Sequence, residues 1–303
     1  MILTGNANRA LAARVAVELG LELGNTKIST LADGETSVCI DEPLLGVDTY
    51  IVQSLSPPAN QHLLEALLLA DACYRGGAMR ITLVAPYLAY SRQERVSQPG
   101  RPIATQLLAA MLAAAKINRV VTLDFHNLAS VGLFPMPFYH LTAASLYQPL
   151  FKDFDNLVVI APDYGGKQRA QTLATLLGCD YLSIDKRSNQ QEYLAVNKSL
   201  PLRGCDCLLY DDMCVSGRTL LWAQELLRQR GVRSISIAVT HALFSDAVAT
   251  KLVAQPLRLF VCSDSVAHSA TSPSTHTLPI AGRLATAITA LHSMGTLPVG
   301  AHA

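Results

Sequence analysis

The stretch Leu208-Leu-Tyr-Asp-Asp-Met-Cys-Val-Ser-Gly-Arg-Thr-Leu220 runs from a short apolar segment through two acids and a glycine-containing turn into a helix. Such an apolar run is typical of a buried parallel strand. Backbone N–H groups from Ser216 to Thr219, at the helix N-terminus, form a favourable cradle for a dianionic phosphate. Asp211 and Asp212 stand where they can accept hydrogen bonds from vicinal hydroxyls. The alternative is an ordinary strand-to-helix turn whose acids cap the helix.

Short apolar runs alternate with helical runs along the whole sequence. Strands are predicted at Ile2–Thr4, Thr49–Gln53, Arg80–Ala85, Arg119–Asp124, Leu157–Ala161, Cys207–Tyr210 and Ser234–Thr240, and helices at Asn8–Leu19, Gln61–Tyr74 and Ile103–Ala115. This alternation predicts an α/β fold with parallel sheets flanked by helices. Ligands bind such sheets at the carboxyl ends of the strands, so the residues after each strand are the candidates for chemistry.

Two short segments that lie about half the chain length apart weakly resemble each other. Arg80–Ser91 can be aligned with Ser234–Ser245, and each segment follows a predicted helix. A chance likeness between two buried strands is one interpretation, and a duplicated α/β domain is the other. The length of 303 residues agrees with two domains.

The composition excludes several classes of protein. The 24 Lys and Arg residues nearly balance the 23 Asp and Glu residues, and a formal charge of +1 excludes a basic nucleic-acid clamp. No run approaches the roughly 18 apolar residues of a membrane span. The N-terminus has no cationic lead before its apolar part, so no secretory signal is predicted. The seven cysteines are scattered without a CxxC pair, which favours a reduced, cytoplasmic protein without structural zinc.

The segment Leu208–Leu220 resembles the phosphoribosyl diphosphate (PRPP) motif of phosphoribosyltransferases and PRPP synthetases. Other segments resemble a PRPP synthetase in the family's order and close to its spacing: Leu31-Ala-Asp-Gly-Glu35, Tyr50-Ile-Val-Gln-Ser54, Asn60-Gln-His-Leu-Leu-Glu65, Pro86-Tyr-Leu-Ala-Tyr-Ser-Arg-Gln-Glu-Arg95, Leu123-Asp-Phe-His126, Ala161-Pro-Asp-Tyr-Gly-Gly166, Asp185-Lys-Arg187 and Val239-Thr-His-Ala-Leu-Phe-Ser245. The sequence is therefore identified as a divergent member of the ribose-phosphate diphosphokinase (PRPP synthetase) family.

This resemblance implies two phosphoribosyltransferase-type domains with parallel sheets, related by a pseudo-two-fold duplication. Residues 1–145 would form the ATP side and residues 146–303 the ribose-phosphate side, with the last helix a candidate to pack back on the first domain. The implied reaction is Mg²⁺-dependent transfer of diphosphate from ATP to O1 of ribose 5-phosphate, which gives PRPP and AMP. The family builds its ATP site from two subunits, so a homo-oligomer is expected, with no nucleic-acid or membrane partner.

The resemblance also implies roles for individual residues. The candidates for ATP binding are Asp33, Gly34 and Glu35 at the adenine amino group, and Arg92, Gln93 and Arg95 at the triphosphate. The candidates beside Mg²⁺ are His126 and Asp163, and those for catalysis in a closing loop are Lys186 and Arg187. The ribose-phosphate candidates are Asp211, Asp212, Ser216, Gly217, Arg218 and Thr219. Guanidinium groups suit phosphates because they form charge-assisted pairs of hydrogen bonds.

Four positions depart from the family's usual pattern. Ser188 stands where the closing loop usually has Arg, and Arg187 is the candidate to replace it by a one-residue shift. Leu31 stands in place of an aromatic residue, and Val215 and Arg218 alter the phosphate turn. Two alternatives follow: a diphosphokinase acting on another 5-substituted ribose such as ADP-ribose, whose additional phosphate would meet Arg218, or a non-catalytic regulatory homologue of a PRPP synthetase.

Overall fold

The computed structural model describes residues 1–184, 201–267 and 275–297. The chain divides into two compact units. Of the described residues, the first unit contains 1–141, 265–267 and 279–297, and the second contains 142–184, 201–264 and 275–278. No helix among these residues has the length and apolar character needed to cross a membrane.

The elements of the two units follow the predicted alternation of strands and helices. In chain order they are β1 (Ile2–Thr4), α1 (Arg9–Glu18), β2 (Thr26–Thr30), β3 (Thr36–Ile40), β4 (Asp48–Val52), α2 (Ala59–Arg75), β5 (Arg80–Val84), α3 (Ala104–Ala114), β6 (Arg119–Leu123), β7 (Phe138–Leu141), α4 (Ala144–Phe151), β8 (Leu157–Ala161), α5 (Lys167–Leu177), β9 (Asp180–Ser183), β10 (Asp206–Cys214), α6 (Arg218–Gln229), β11 (Ser234–Ala242), α7 (Asp246–Val253), β12 (Leu259–Ser263), β13 (Thr275–Leu278) and α8 (Ala281–Met294).

Each unit is built on a parallel sheet. The first has five strands in the order β1-β4-β5-β6-β7, and the second has six in the order β13-β12-β11-β10-β8-β9. Every residue of β4 and of β8 is buried, as expected for strands covered on both faces. The predicted α/β fold with parallel sheets flanked by helices is confirmed.

Two local predictions need correction. The strand expected to end at Tyr210 continues to Cys214, because β11 runs beside it in register as far as the pair Cys214 and Ala242. The antiparallel hairpin of β2 and β3 was not predicted. Its signal was the Asp33-Gly34 pair between two segments rich in β-branched residues, a common hairpin turn.

The order of strands is repeated in the two units. The run β1, β4, β5, β6, β7 in the first sheet corresponds to β8, β10, β11, β12, β13 in the second, and both sets are adjacent in that order. The helix that follows each run packs in the other unit: α4 follows β7 but packs against α5, and α8 follows β13 but packs against α1. The repeated order supports a duplicated domain and argues against a chance likeness of two strands.

A buried aspartate lies at the amino end of the sheet in the first unit. Asp48, at the start of β4, accepts a hydrogen bond from Nε of Arg80 at 3.0 Å and one from the hydroxyl of Tyr50 at 3.1 Å. Nδ1 of His292, on α8, lies 3.0 Å from the same carboxylate. The contact between His292 and Asp48 therefore links α8 to the amino end of β4.

The second unit repeats this arrangement at the start of β10. Asp206 accepts hydrogen bonds from Nε and Nη2 of Arg233 at 2.9 and 2.6 Å, from Nη1 of Arg258 at 2.8 Å and from the hydroxyl of Ser234 at 2.6 Å. The hydrogen bonds from Arg233 lower the pKa of Asp206 below its usual value, although burial opposes them. The ionised carboxylate therefore stabilises the second unit.

We expect Asp206→Asn to lower the free energy of unfolding by about 2 kcal/mol at pH 7, the value of hydrogen bonds to a charged group. Because the folded pKa is depressed, this contribution is fully present above the unfolded pKa, near 4, and is lost as pH falls through the folded pKa. Urea unfolding at pH 7 and pH 3 measures it, and the difference between variant and wild type should shrink at pH 3. Asp41→Asn, which removes an exposed pair with Lys27, should cost less than about 1 kcal/mol. If the difference in unfolding free energy between Asp206→Asn and wild type were the same at pH 7 and pH 3, the ionised Asp206 carboxylate would not be the source of the stabilisation.

Candidate active site

The turn between β10 and α6 is shaped by Gly217, which has a left-handed backbone with φ of +68°. A Cβ at this position would lie 2.8 Å from Cγ1 of Val248, so any larger residue would be both strained and crowded. The 12-residue helix α6 begins at the next residue, Arg218. Ser216 is exposed and Thr219 is half-buried at this end. The turn presents a helix N-terminus, where N–H groups and the dipole favour an anion.

Asp211 and Asp212 lie within β10 itself, and Arg169 of α5 contacts both. Nη2 of Arg169 donates to Oδ1 of Asp212 at 2.8 Å and lies 3.4 Å from Oδ1 of Asp211. The backbone N–H of Asp212 also donates to Oδ1 of Asp211 at 2.9 Å. The side chains of Arg169, Asp211 and Asp212 are 15%, 13% and 2% exposed. One guanidinium thus holds both acids, and Asp211 is the more accessible of the two.

The electrostatics of this cluster favour a ligand that carries positive charge or hydrogen-bond donors. Burial raises the pKa of Asp211 well above its usual value, and the carboxylates of Asp212 and Asp163 add to the rise, while Arg169 opposes it. At the end of the same strand, burial raises the pKa of the Cys214 thiol to about 12, so this thiol is unreactive at neutral pH.

Asp163 is positioned by the turn that follows β8. Its Oδ1 accepts a hydrogen bond from the N–H of Gly166 at 3.2 Å, and its carbonyl oxygen accepts one from the hydroxyl of Ser183 at 3.1 Å. A Cβ on Gly165 would lie 3.3 Å from Oδ1 of Asp163, so the glycine leaves room beside the carboxylate. Because β8 and β10 are adjacent parallel strands, Asp163 and Asp211 lie at the same edge of the sheet.

The described residues fit Mg²⁺ only together with a substrate. Asp163, Asp211 and Asp212 bring three carboxylates to one edge of the sheet, where Arg169 contacts two of them. No three His, Cys, Asp or Glu side chains in residues 1–184, 201–267 and 275–297 converge to hold a metal. Mg²⁺ usually keeps several waters and takes one or two carboxylates plus substrate phosphates. The residues therefore fit an ion that is completed by oxygens of the substrate.

The first group of ATP candidates lies at the tip of the β2–β3 hairpin. The N–H of Glu35 donates to Oδ1 of Asp33 at 3.0 Å, and Gly34 has a φ of +92° that the tight turn requires. All three residues are exposed, as is Leu31. Strand β3 of the hairpin packs against α2, and this contact holds the strands that carry the exposed tip.

The second group of ATP candidates lies in the loop that follows β5. Thr105, in the first turn of α3, donates from its hydroxyl to the carbonyl of Tyr90 at 2.8 Å, and its N–H donates to the carbonyl of Gln93 at 3.2 Å. Tyr90 has a left-handed φ of +65°, and its carbonyl also accepts from the N–H of Gln93 at 2.9 Å. Arg92, Gln93 and Arg95 are exposed on this anchored loop. Within the described chain no hydrogen bond or ion pair joins them to the hairpin tip.

His126 lies after β6, at the same edge of the first sheet as the Arg92 loop. The strand ends at Leu123, and Asp124 turns the chain with a φ of +40° while its N–H donates to the carbonyl of Leu141 at 2.8 Å. A left-handed residue other than glycine stores strain, and such strain is common at functional sites. His126 is half-buried. His126 belongs to the first unit and Asp163 to the second.

The catalytic candidates Lys186 and Arg187 lie outside the described residues, as does Ser188. Arg169 is the site residue that the sequence analysis missed. Its signal was a cation in the first turn of a helix, where the dipole disfavours positive charge unless an acid compensates.

Comparisons with known proteins agree with this arrangement. Residues 1–115 match the family model of the N-terminal domain of ribose phosphate pyrophosphokinase, and residues 139–273 match the phosphoribosyl transferase domain. The ribose-phosphate pyrophosphokinase of Agrobacterium fabrum is 37% identical over 294 residues, which cover 95% of each chain. That of Fusobacterium nucleatum is 36% identical over 271 residues, 88% of this chain and 86% of the relative.

A solved structure resembles the chain over nearly its whole length. The crystal structure of phosphoribosylpyrophosphate synthetase from Mycobacterium smegmatis aligns with a TM-score of 0.90 and 32% identity, and covers 97% of this chain and 99% of that one. A coverage of 97% means that the likeness extends into both units. The chain belongs to the ribose-phosphate pyrophosphokinase family of enzymes.

Proposed function

We propose that the protein transfers diphosphate from ATP to O1 of ribose 5-phosphate in the presence of Mg²⁺ and releases PRPP and AMP. The observation that carries this proposal is the edge of the second sheet, where Asp211 and Asp212 precede Gly217 and the N-terminus of α6. A sugar phosphate needs both parts: N–H groups and a helix dipole for the phosphate, and carboxylates for the hydroxyls.

The acceptor would bind across this edge. The 5-phosphate lies on the N–H groups of Ser216 to Thr219, with the hydroxyls of Ser216 and Thr219 as further donors. Asp211 and Asp212 provide carboxylates for the ribose hydroxyls at the neighbouring end of β10. The left-handed Gly217 supports this assignment, because it lets the backbone turn so that successive N–H groups face one ligand.

The donor would bind to the exposed ATP candidates of the first unit. Arg92, Gln93 and Arg95 suit the triphosphate, since guanidinium groups give charge-assisted hydrogen bonds and the loop is anchored by Thr105. The carboxylates of Asp33 and Glu35 suit the adenine amino group, which is a donor. We assign the hairpin tip and the Arg92 loop of one ATP site to two copies of the chain, so the active species is a dimer or larger.

Two residues would each lie beside Mg²⁺, His126 of the first unit near the ATP phosphates and Asp163 of the second unit near the ribose. When bound, the ion neutralises charge on the phosphate oxygens and orients them. The chain's own carboxylate at Asp163 is fixed by the N–H of Gly166, so it presents a defined oxygen to an ion completed by substrate.

Lys186 would neutralise negative charge on the transferred diphosphoryl group, and Arg187 would assist it. Lys186→Ala should lower kcat about 100-fold, the order expected for loss of one strong electrostatic donor. The KM for ribose 5-phosphate should change little, because the acceptor is held by other residues. Steady-state measurement of AMP tests both values. Lys251→Ala, an exposed lysine on α7, is the matched control, and wild-type turnover in Lys186→Ala would remove this residue from the mechanism.

The proposed reaction is tested by incubating the protein with Mg²⁺ and ATP, with ribose 5-phosphate and ADP-ribose offered separately. We expect AMP and PRPP from ribose 5-phosphate, and no product after the metal is removed with a chelator. Asp211→Asn, prepared in the same way, controls for a contaminating enzyme and should lose most of the activity. AMP from ADP-ribose alone would overturn ribose 5-phosphate as the acceptor, and no AMP from either would identify a non-catalytic regulatory homologue.

Arg218 favours ADP-ribose as a second candidate acceptor. Its side chain is exposed beside the phosphate turn, and within the described residues it makes no ion pair. A 5-substituent with a further phosphate would place negative charge near this guanidinium. Val215, on the other side of Ser216, is 46% exposed and leaves an apolar surface next to it.

The two acceptors are distinguished by Arg218→Ala. If ADP-ribose is the acceptor, the variant should raise its KM about tenfold, the contribution of one charged hydrogen bond. The KM for ribose 5-phosphate should rise by less than about threefold, since the backbone N–H groups of the turn are kept. Initial rates of AMP formation measure both. Arg228→Ala removes a half-buried arginine from the far end of α6, where its Nη2 donates to the carbonyl of Pro256, and should change neither KM. An equal rise for both acceptors would exclude a subsite at Arg218.

A further inference from the structure

The contacts around Asp211 and Asp212 divide the acid pair into a buried member and an accessible member. Asp212 is 2% exposed and binds Nη2 of Arg169 at 2.8 Å. Asp211 is 13% exposed, and its contacts with Arg169 and with the N–H of Asp212 both end on Oδ1. Neither of these two contacts uses Oδ2 of Asp211, and the side chain of Asp212 is a further hydrogen-bonding neighbour of the Asp211 carboxyl. Asp211 is therefore the more exposed acid of the pair and the one that a ligand can reach more easily.

Arg169 is the residue that holds this division in place. It comes from α5, the helix that begins shortly after Asp163, so it links the carboxyl ends of β8 and β10. Both of its contacts with the acids start from the same nitrogen, so a small rotation of the guanidinium would move both carboxylates. Two adjacent carboxylates repel each other, and the shared cation lets both stay close together as acceptors.

We infer that Arg169 is a positioning residue for the acceptor, which with the buried Asp212 fixes the more exposed Asp211 carboxylate so that it accepts hydrogen bonds from the ribose hydroxyls. This inference rests on the proposed function, because it assumes an acceptor with ribose hydroxyls. Arg169 does not touch the acceptor; it acts through Asp211. The 5-phosphate, held by the turn after β10, is not affected by it.

The inference predicts that Arg169 controls recognition of hydroxyls but not recognition of phosphate. Calorimetry should compare ribose 5-phosphate with tetrahydrofurfuryl phosphate, which has the ring and the phosphate but no ring hydroxyls. Wild type should bind ribose 5-phosphate at least about tenfold more tightly, the contribution of one hydrogen bond to a charged acceptor. We call the affinity for ribose 5-phosphate divided by the affinity for tetrahydrofurfuryl phosphate the affinity ratio. In Arg169→Met this ratio should fall to within about twofold of unity, while the affinity for tetrahydrofurfuryl phosphate should stay within about threefold of the wild-type value.

Arg169→Lys provides a second variant if the methionine variant does not fold. Lysine keeps the charge but lacks the planar fork, so the ratio should fall to about threefold. The matched control is Arg233→Met, which breaks an Arg–Asp pair with Asp206 at the opposite end of the same strand. It should lower stability and keep the wild-type ratio, because it removes no contact near Asp211.

The outcomes separate this inference from the proposed function. A wild-type ratio of unity would mean that no hydroxyl is recognised and would overturn the assignment of the acceptor itself. A wild-type ratio of ten that persists in folded Arg169→Met or in Arg169→Lys would overturn the role of Arg169 alone. A ratio that falls equally in Arg233→Met would also overturn it, since that result would indicate general destabilisation.

A double variant tests whether Arg169 and Asp212 act together. In an Asp212→Asn background, Arg169→Met should change the ratio by less than about twofold, because the buried member of the pair is already lost. Fully additive effects of the two substitutions on the ratio would show that Arg169 does not work through the acid pair and would overturn the inference.

Discussion

Leu157 to Ile160 of β8 lie in parallel register beside Asp206 to Leu209 of β10, and both strands are buried among apolar side chains. Because parallel strands end at the same edge, this pairing brings the turn with Asp163 next to the acids of β10. The strand that carries the acids continues to Cys214, so their backbone is held by the ladder with β11. A rigid element therefore positions the carboxylates, and the turn that contains Gly217 begins only after it.

The two ends of the sheet carry different electrostatics. At the amino end Asp206 is surrounded by Arg233, Arg258 and Ser234, so its charge is compensated within the protein. At the carboxyl end Arg169 contacts two acids, and further acidic charge lies nearby. The first kind of cluster contributes to stability, whereas the second leaves negative charge that a ligand or an ion can satisfy. A net charge of +1 for the whole chain does not reveal this separation.

The repeated topology shows why the two units carry different sites. In the first unit the chain leaves β4 and enters α2, as it leaves β10 and enters α6 in the second. There Gln53 donates to Oε2 of Glu65 at 2.9 Å, and the N–H of Asn6 donates to the same oxygen at 2.9 Å. Gln53 and Glu65 are fully buried, and their polar groups form hydrogen bonds within the protein. The corresponding place in the second unit carries the two acids and the turn at Gly217. The exposed candidates of the first unit lie instead on the hairpin tip and the Arg92 loop.

The sequence by itself determined the fold class, because short apolar runs and helical periodicity are local signals that burial enforces, and it determined the candidate turn from Asp211 to Thr219. The tertiary structure alone decided where the strand ends, since β11 extends the ladder to Cys214. It also decided the partner of the acids: Arg169 lies about forty residues before them, and no periodicity relates the two positions. Which charges compensate each other depends on distances across the sheet and its helices, and these exist only once the strands have paired.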